Sequence, residues 1–237
     1  MKRACPPSAF RSPDDSAPMN IRGVVHRLKL LLRTAASSNK EEAQMKPALL
    51  IIDMQKDFVL PGAPLRVEGA LATVPAIRRL LERARVEGWP VFHVVREHRP
   101  DGSDAEIFRR HLFENGGPGF CVAGREGSAI VDELAPLPGE HKVVKTRFSA
   151  FYRTSLEDDL RALGVDTVLL SGTQYPNCVR GTAVDALYRD LHVVVVRDAC
   201  SAATPDVAES NLRDMHNMGM ICVPLDELDD ALSSLTE

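Results

Sequence analysis

A carboxylate, an ammonium and a thiol stand at matching places in this chain. Asp53 follows the apolar run Ala48–Ile52, Lys145 follows Val143-Val144, and Cys178 lies just past Val165–Leu170. Each apolar run reads as a strand, and the stretch Val179–Tyr188 behind Cys178 reads as a helix with no proline or interior turn signal. The first N–H groups of a helix lack intrahelical partners, and the positive end of its dipole favours thiolate over thiol. Cys178 is therefore a candidate nucleophile. An aspartate at the end of a buried strand needs a compensating charge, and a lysine supplies one while keeping the carboxylate ionised. That carboxylate can take the thiol proton, and the thiolate can attack a carbonyl carbon. Backbone N–H groups in the turn before the helix would stabilise the oxyanion, each contributing roughly 3–4 kcal/mol. More ordinary readings exist: Asp53 as a helix cap, Lys145 as a solvated charge, Cys178 as a small buried hydrophobe. All three falling at strand ends together favours the chemistry.

The elements that must position these groups alternate. Strands are expected at Ala48–Ile52, Pro90–Val95, Lys142–Val144, Val165–Leu170, His192–Val196 and Met220–Val223. Helices are expected at Val74–Val86, with Gly88 as its stop, at Leu156–Leu163, stopped by Gly164, at Val179–Tyr188, and from Pro205 to near Gly219. Ala105–Phe113 reads as a short helix and Asn115–Gly127 as a glycine-rich surface loop. Continuous rather than alternating apolar strands, separated by helices, indicate a parallel sheet covered on both faces. Right-handed crossovers make this a three-layer α/β fold, whose sites lie at the carboxyl ends of the strands. No GxGxxG or GxxxxGK[ST] follows the first strand, so a nucleotide fingerprint is absent.

Composition narrows the partners. The 237 residues are 44% hydrophobic and 26% charged, with a net charge of -4 and a pI near 6.0, which gives no reason to expect nucleic acid. Five scattered cysteines without a CxxC pair point to free thiols in a reducing, intracellular compartment. No apolar stretch approaches the ~20 residues of a membrane span. Residues 1–45 form an extension: Met1–Pro18 has the composition of a disordered segment, and Asn20–Arg33 reads as a basic amphipathic helix. Such a helix is of the kind that directs chains to mitochondria or plastids, although Asp14 and Asp15 interrupt the pattern; without targeting the protein would be cytoplasmic. A folded domain is expected over 46–228, with a tail over 229–237.

Asp53 in ALLIIDMQKDF, Lys145 in VVKTRFSAF and Cys178 in SGTQYPNCVRGTAVDA together resemble the cysteine hydrolases of the isochorismatase-like superfamily, over residues 46–225. VVREH, FRRH and KTRFSAF are most similar to its nicotinamidase-related members. The resemblance implies a Rossmann-like fold with a six-stranded, mostly parallel sheet and an Asp53–Lys145–Cys178 triad. It also implies a non-peptide C–N hydrolase: cysteine attacks the carbonyl, ammonia or an amine leaves, and water hydrolyses a thioester. It places a cis peptide at Thr173–Gln174 and an oxyanion hole at the N–H groups of Gln174 and Cys178. Phe58, Phe148 and Phe151 fall where the family lines its pocket, and Arg96, Arg147 or Arg180 could hold a substrate carboxylate. Members are usually oligomers that close the pocket with a neighbour, which implies a homo-oligomer.

Two departures shape the expected activity. Nicotinamidases hold a metal through an aspartate and two histidines after the second strand. Here that segment reads Arg96-Glu97-His98-Arg99-Pro100-Asp101-Gly102-Ser103-Asp104, so no metal or other cofactor is expected. Isochorismatases proper cleave a vinyl ether and lack the cysteine. The resemblance thus implies a metal-independent amidohydrolase of the ureidoacrylate or N-carbamoyl type, acting on a small amide, ureido or carbamoyl compound. The alternative is a catalytically inactive nicotinamidase-like protein that binds a small molecule or partner.

Overall fold

The structure is a computed structural model and describes residues 45–235. The basic helix expected at 20–33, and the targeting role that rests on it, lie outside the described residues. Six strands form one sheet: β1 (Pro47–Ile52), β2 (Val91–Arg96), β3 (His141–Lys145), β4 (Thr167–Thr173), β5 (His192–Ser201) and β6 (Ile221–Val223). Their order is β3-β2-β1-β4-β5-β6, and every neighbouring pair is parallel. The helices are α1 (Lys56–Val59), α2 (Ala70–Glu87), α3 (Leu156–Ala162), α4 (Arg180–Leu187), α5 (Pro205–Asn217) and α6 (Leu228–Ser234). Among the described residues no helix is long and apolar enough to cross a membrane.

The strands are apolar throughout because alternate residues enter opposite cores. Ala48, Leu50 and Ile52 of β1 pack in one cluster with Leu156, Leu160, Ala183 and Met215. Leu49 and Ile51 enter the other, with Ile77, Leu80, Leu81 and Leu228. Helix α2 buries Ile77, Leu80, Leu81 and Ala84 and stops at Gly88, whose φ of 69° is the left-handed cap the sequence indicates. It begins earlier than expected, however, because Pro75 sits inside the helix rather than at its start. A proline near the N-terminus loses only one intrahelical bond, and the buried face on either side of it outweighs that loss.

The tail expected from 229 is mostly helix: Leu228 and Ala231 of α6 are buried, so the folded domain runs on to Ser234.

From β1 the chain steps outward through β2 and β3, then returns to build β4, β5 and β6 on the other side. The loops leaving β1 and β4 therefore diverge and open a crevice at the carboxyl ends of these two neighbours. β4, on one side of that crevice, and its outer neighbour β5 are both longer than expected. β4 reaches Thr173, and β5 continues past the exposed Arg197-Asp198 to Ser201, pairing Gly172 with Cys200 and Thr173 with Ser201 beyond a register shift. Two charged residues in a row read as a strand end, but a bulge lets the ladder resume beyond them.

Gly172 makes the close approach possible. Its φ is +110°, and a Cβ there would overlap the carbonyl oxygen of Ile52 on β1. Gly172→Ala is expected to destabilise the fold by about 3 kcal/mol, from positive-φ strain plus a backbone clash, which for a domain this size lowers Tm by roughly 6–12 °C. A thermal melt of the variant checks this; an unchanged Tm would mean that β1 and β4 can separate freely here.

Candidate active site

The strand ends deliver their side chains to one point. Asp53, at φ +53° just beyond β1, donates its N–H to Val94 O and has a carboxylate only 1% exposed. Lys145, the last residue of β3, is in register with Arg96 on β2. Its ammonium donates to Asp53 Oδ2 at 2.7 Å, to Arg147 O at 3.2 Å and toward Cys178 Sγ at 3.4 Å. Asp53, Lys145 and Cys178 are thus one buried cluster, supplied by β1, β3 and the turn after β4.

A fourth group, Arg96, completes it. Its guanidinium is fully buried, with Nη2 3.6 Å from Cys178 Sγ and Nη1 2.6 Å from Glu106 Oε1 and 3.3 Å from Thr146 O. Gln55 fixes the Arg96 backbone from both sides: Arg96 N–H donates to Oε1, and Nε2 donates to Arg96 O and Ser128 O. Burial works against the charge of Arg96, but Cys178, Asp53 and Glu106 together hold its pKa above the ordinary arginine value. Burial opposes ionised Glu106 too, and Arg96 outweighs it, keeping that carboxyl below its usual range.

Cys178 lies in a π-turn, Tyr175–Val179, that leads into α4. The expected activation by the helix end does not govern it. Burial, followed by the Asp53 charge, pushes the thiol pKa up, and Lys145 and Arg96 pull it down without prevailing. The sulfur is nearly inaccessible, and α4 begins only at Arg180, two residues beyond it. The resting group is a thiol, and reaction requires Asp53 to remove its proton. Iodoacetamide alkylation of Cys178, followed by peptide mass spectrometry, is therefore expected to accelerate up to about tenfold per pH unit from pH 7 through pH 9. A rate already flat at pH 7 would indicate a resting thiolate.

The peptide bond Thr173–Gln174 is cis. Within the π-turn, Gln174 O accepts from the N–H groups of Asn177 and Val179. Among the described residues, the N–H groups of Gln174 and Cys178 donate to no backbone carbonyl outside that turn.

Asp53 and Cys178 face a cavity walled by Phe58, Val67, Arg96, Arg109, Gln174 and Asn177. Its volume is about 10 Å³, the space of one water, so an organic ligand enters only if wall side chains move. Of the residues expected to line the pocket, Phe58 does so. Phe148 stands behind the wall with the Arg96 guanidinium 5.6 Å from its ring centroid. Phe151 is not at the cavity: its ring lies under Arg189 at 4.5 Å, beside α3, because the chain turns into the core after Ser149. Arg147 also points elsewhere, donating to the carbonyls of Asp104 and Thr146, and Arg180 pairs with Asp214 at 3.1 Å. Arg109, Glu106, Gln55 and Asn177 escaped the sequence reading. Gln55 follows the strand-end aspartate by two residues, Asn177 precedes Cys178, and Arg109 lies within FRRH, but none of the three was assigned a role.

The segment after β2 does not present a metal-binding set. His98 Nδ1 lies 3.3 Å from Asp104, which also accepts the Arg99 N–H, and Glu97 pairs with Lys142. Among the described residues no three His, Cys, Asp or Glu side chains converge as a metal cluster.

The chain is 42% identical over 188 residues to a probable inactive nicotinamidase of Arabidopsis thaliana, covering 78% of this chain and 96% of that one. It is 37% identical over 173 residues to the maleamate amidohydrolase of Pseudomonas putida, covering 72% and 79%. A crystal structure of an isochorismatase family protein from Desulfovibrio vulgaris superposes with a TM-score of 0.79 at 64% identity, covering 80% of this chain and all of that one. The Isochorismatase domain family matches residues 47–227, and with the parallel sheet and the strand-end cluster already in place, the chain belongs to that family.

Proposed function

We propose that the protein is a metal-independent cysteine amidohydrolase that cleaves the C–N bond of a small amide, ureido or carbamoyl compound. One observation carries the reading: the Lys145 ammonium sits between Asp53 and Cys178, at 2.7 and 3.4 Å, and those two partners line one cavity. Asp53 takes the thiol proton as sulfur attacks the carbonyl carbon, and the carbonyl oxygen becomes an oxyanion facing the N–H groups of Gln174 and Cys178. Lys145 and Arg96 keep the negative charge favourable while it passes from carboxylate to sulfur to oxygen. Collapse breaks the C–N bond, and the leaving nitrogen takes the proton from Asp53. Water, deprotonated by Asp53, then attacks the thioester. Breaking the C–S bond releases the acid and returns the proton to sulfur.

The name of the Arabidopsis relative favours a second reading, a binding protein that does not turn over its ligand. An ammonia-release screen over maleamate, ureidoacrylate, N-carbamoyl amino acids, biuret and nicotinamide separates the two. Release from at least one compound, unchanged by a chelator, is the expected result. Loss of all release on chelation would overturn metal independence, and silence across the panel would favour the binding protein.

A further inference from the structure

We infer that Arg109 is the specificity-determining residue of the site, and that the substrate is an amide carrying a carboxylate that this guanidinium receives. The inference rests on the amidohydrolase reading and adds to it what the substrate must look like. Three arginines were candidates for an anion from sequence; Arg147 and Arg180 are bonded away from the cavity, and Arg96, on its wall, is held by Glu106 and the Cys178 sulfur. Arg147 is tied to two carbonyls, and Arg180 to Asp214 and Asn211. Among the described residues on the cavity wall, Arg96 leaves only its Nε without a partner, whereas the Arg109 guanidinium makes no hydrogen bond at all.

Its side chain is 16% exposed, and its guanidinium lies 5.1, 5.4 and 5.3 Å from the ring centroids of Phe108, Phe120 and Phe148. These faces position the plane without using its N–H groups. Among the described residues its side chain makes no hydrogen bond. Its one ion-pair partner, Glu106, is 3.7 Å away and bonds Arg96 at 2.6 Å instead. None of its nitrogens is fully buried, so the donors stay accessible to a ligand that enters the cavity.

The charges around the cavity say what that something is. Lys145, Arg96 and Arg109 are positive, Asp53 and Glu106 are negative, and Cys178 rests as a thiol. The site therefore carries one positive charge in excess. A neutral amide leaves that excess standing, whereas a carboxylate cancels it and offers Arg109 two oxygens for its fork of N–H donors. Burial and the neighbouring Arg96 both press against the charge of Arg109, and an anion would relieve them.

The test compares maleamate with its neutral diamide, maleamide, in the wild-type protein, Arg109→Met and Arg109→Lys. Arg109→Met is expected to lower kcat/KM for maleamate at least about 100-fold and to change maleamide less than about threefold, with Arg109→Lys falling between for maleamate only. Equal losses for both compounds would overturn the proposal and make Arg109 a structural wedge. Should the wild type hydrolyse neither, the amidohydrolase reading is what has failed for these compounds, and binding of maleate decides this one. Calorimetry would show maleate binding in the wild type that is lost in Arg109→Met if the proposal holds; equal affinity in both, or no binding to either, would overturn it.

Discussion

Replacing Cys178 with alanine is expected to lower ammonia release at least about 10⁴-fold while leaving the protein folded. Removing the nucleophile leaves no covalent route, and the charges that remain favour binding without supplying a bond to carbon. The stability cost is small because a single sulfur is lost from a site where Lys145 and Asp53 still satisfy each other at 2.7 Å. A Tm within about 4 °C of wild type accompanies the loss, corresponding to roughly 1 kcal/mol for a domain of this size. Cys178→Ser sharpens the result. A hydroxyl is far less acidic than even a raised thiol, so Asp53 cannot hand serine the same advantage, and activity is expected to stay near that of the alanine variant. Intact mass spectrometry of the wild type under turnover should show an acyl adduct on the Cys178 peptide, absent from both variants. Unimpaired release by Cys178→Ala would remove the thioester route altogether.

The sheet was legible in the sequence because strands buried on two faces are written as unbroken apolar runs, and the three groups ending such runs could be picked out one by one. Asp53, Lys145 and Cys178 needed no knowledge of pairing, since every parallel strand end points to the same edge. What could not be read was reach. Arg96 looks like any polar residue after a strand, and only the register of β2 with β3 and the return of Glu106 show it to be interior. Arg109 sits in a short 3₁₀ stretch, Ile107–Leu112, with Ile107 and Phe108 exposed beside it, so periodicity gives no hint that its guanidinium turns inward. Phe151 illustrates the opposite case, an aromatic in a suggestive motif whose ring lies against Arg189 rather than on the cavity wall. Thiol acidity was only half legible: a helix end is visible in sequence, whereas the burial and the Asp53 charge that push the Cys178 thiol up belong to the packed cluster.

The second large effect concerns the pair that sequence did not reveal. Arg96→Met should destabilise the protein by about 3–5 kcal/mol, because it removes the 2.6 Å partner of Glu106 and leaves a carboxylate only 8% exposed with the 3.7 Å contact to Arg109. At roughly 2–4 °C per kcal/mol, Tm falls by roughly 6–20 °C. Adding Glu106→Gln removes the stranded charge, and the double variant is expected to recover more than half of that loss. Activity should behave differently. Arg96 also lies 3.6 Å from the Cys178 sulfur, so the double variant regains stability but not turnover, with kcat/KM remaining at least about 100-fold down. Glu106→Gln alone keeps the cation at the sulfur and should retain more activity than the double variant. If the double variant were no more stable than Arg96→Met, the pair would be contributing packing rather than charge compensation. If it recovered full activity, Arg96 would serve only to neutralise Glu106. Separating the two readouts matters because buried ion pairs are weak evidence for stability on their own. Here the pair is better explained by what it places beside the sulfur: a fixed positive charge that desolvation would otherwise forbid.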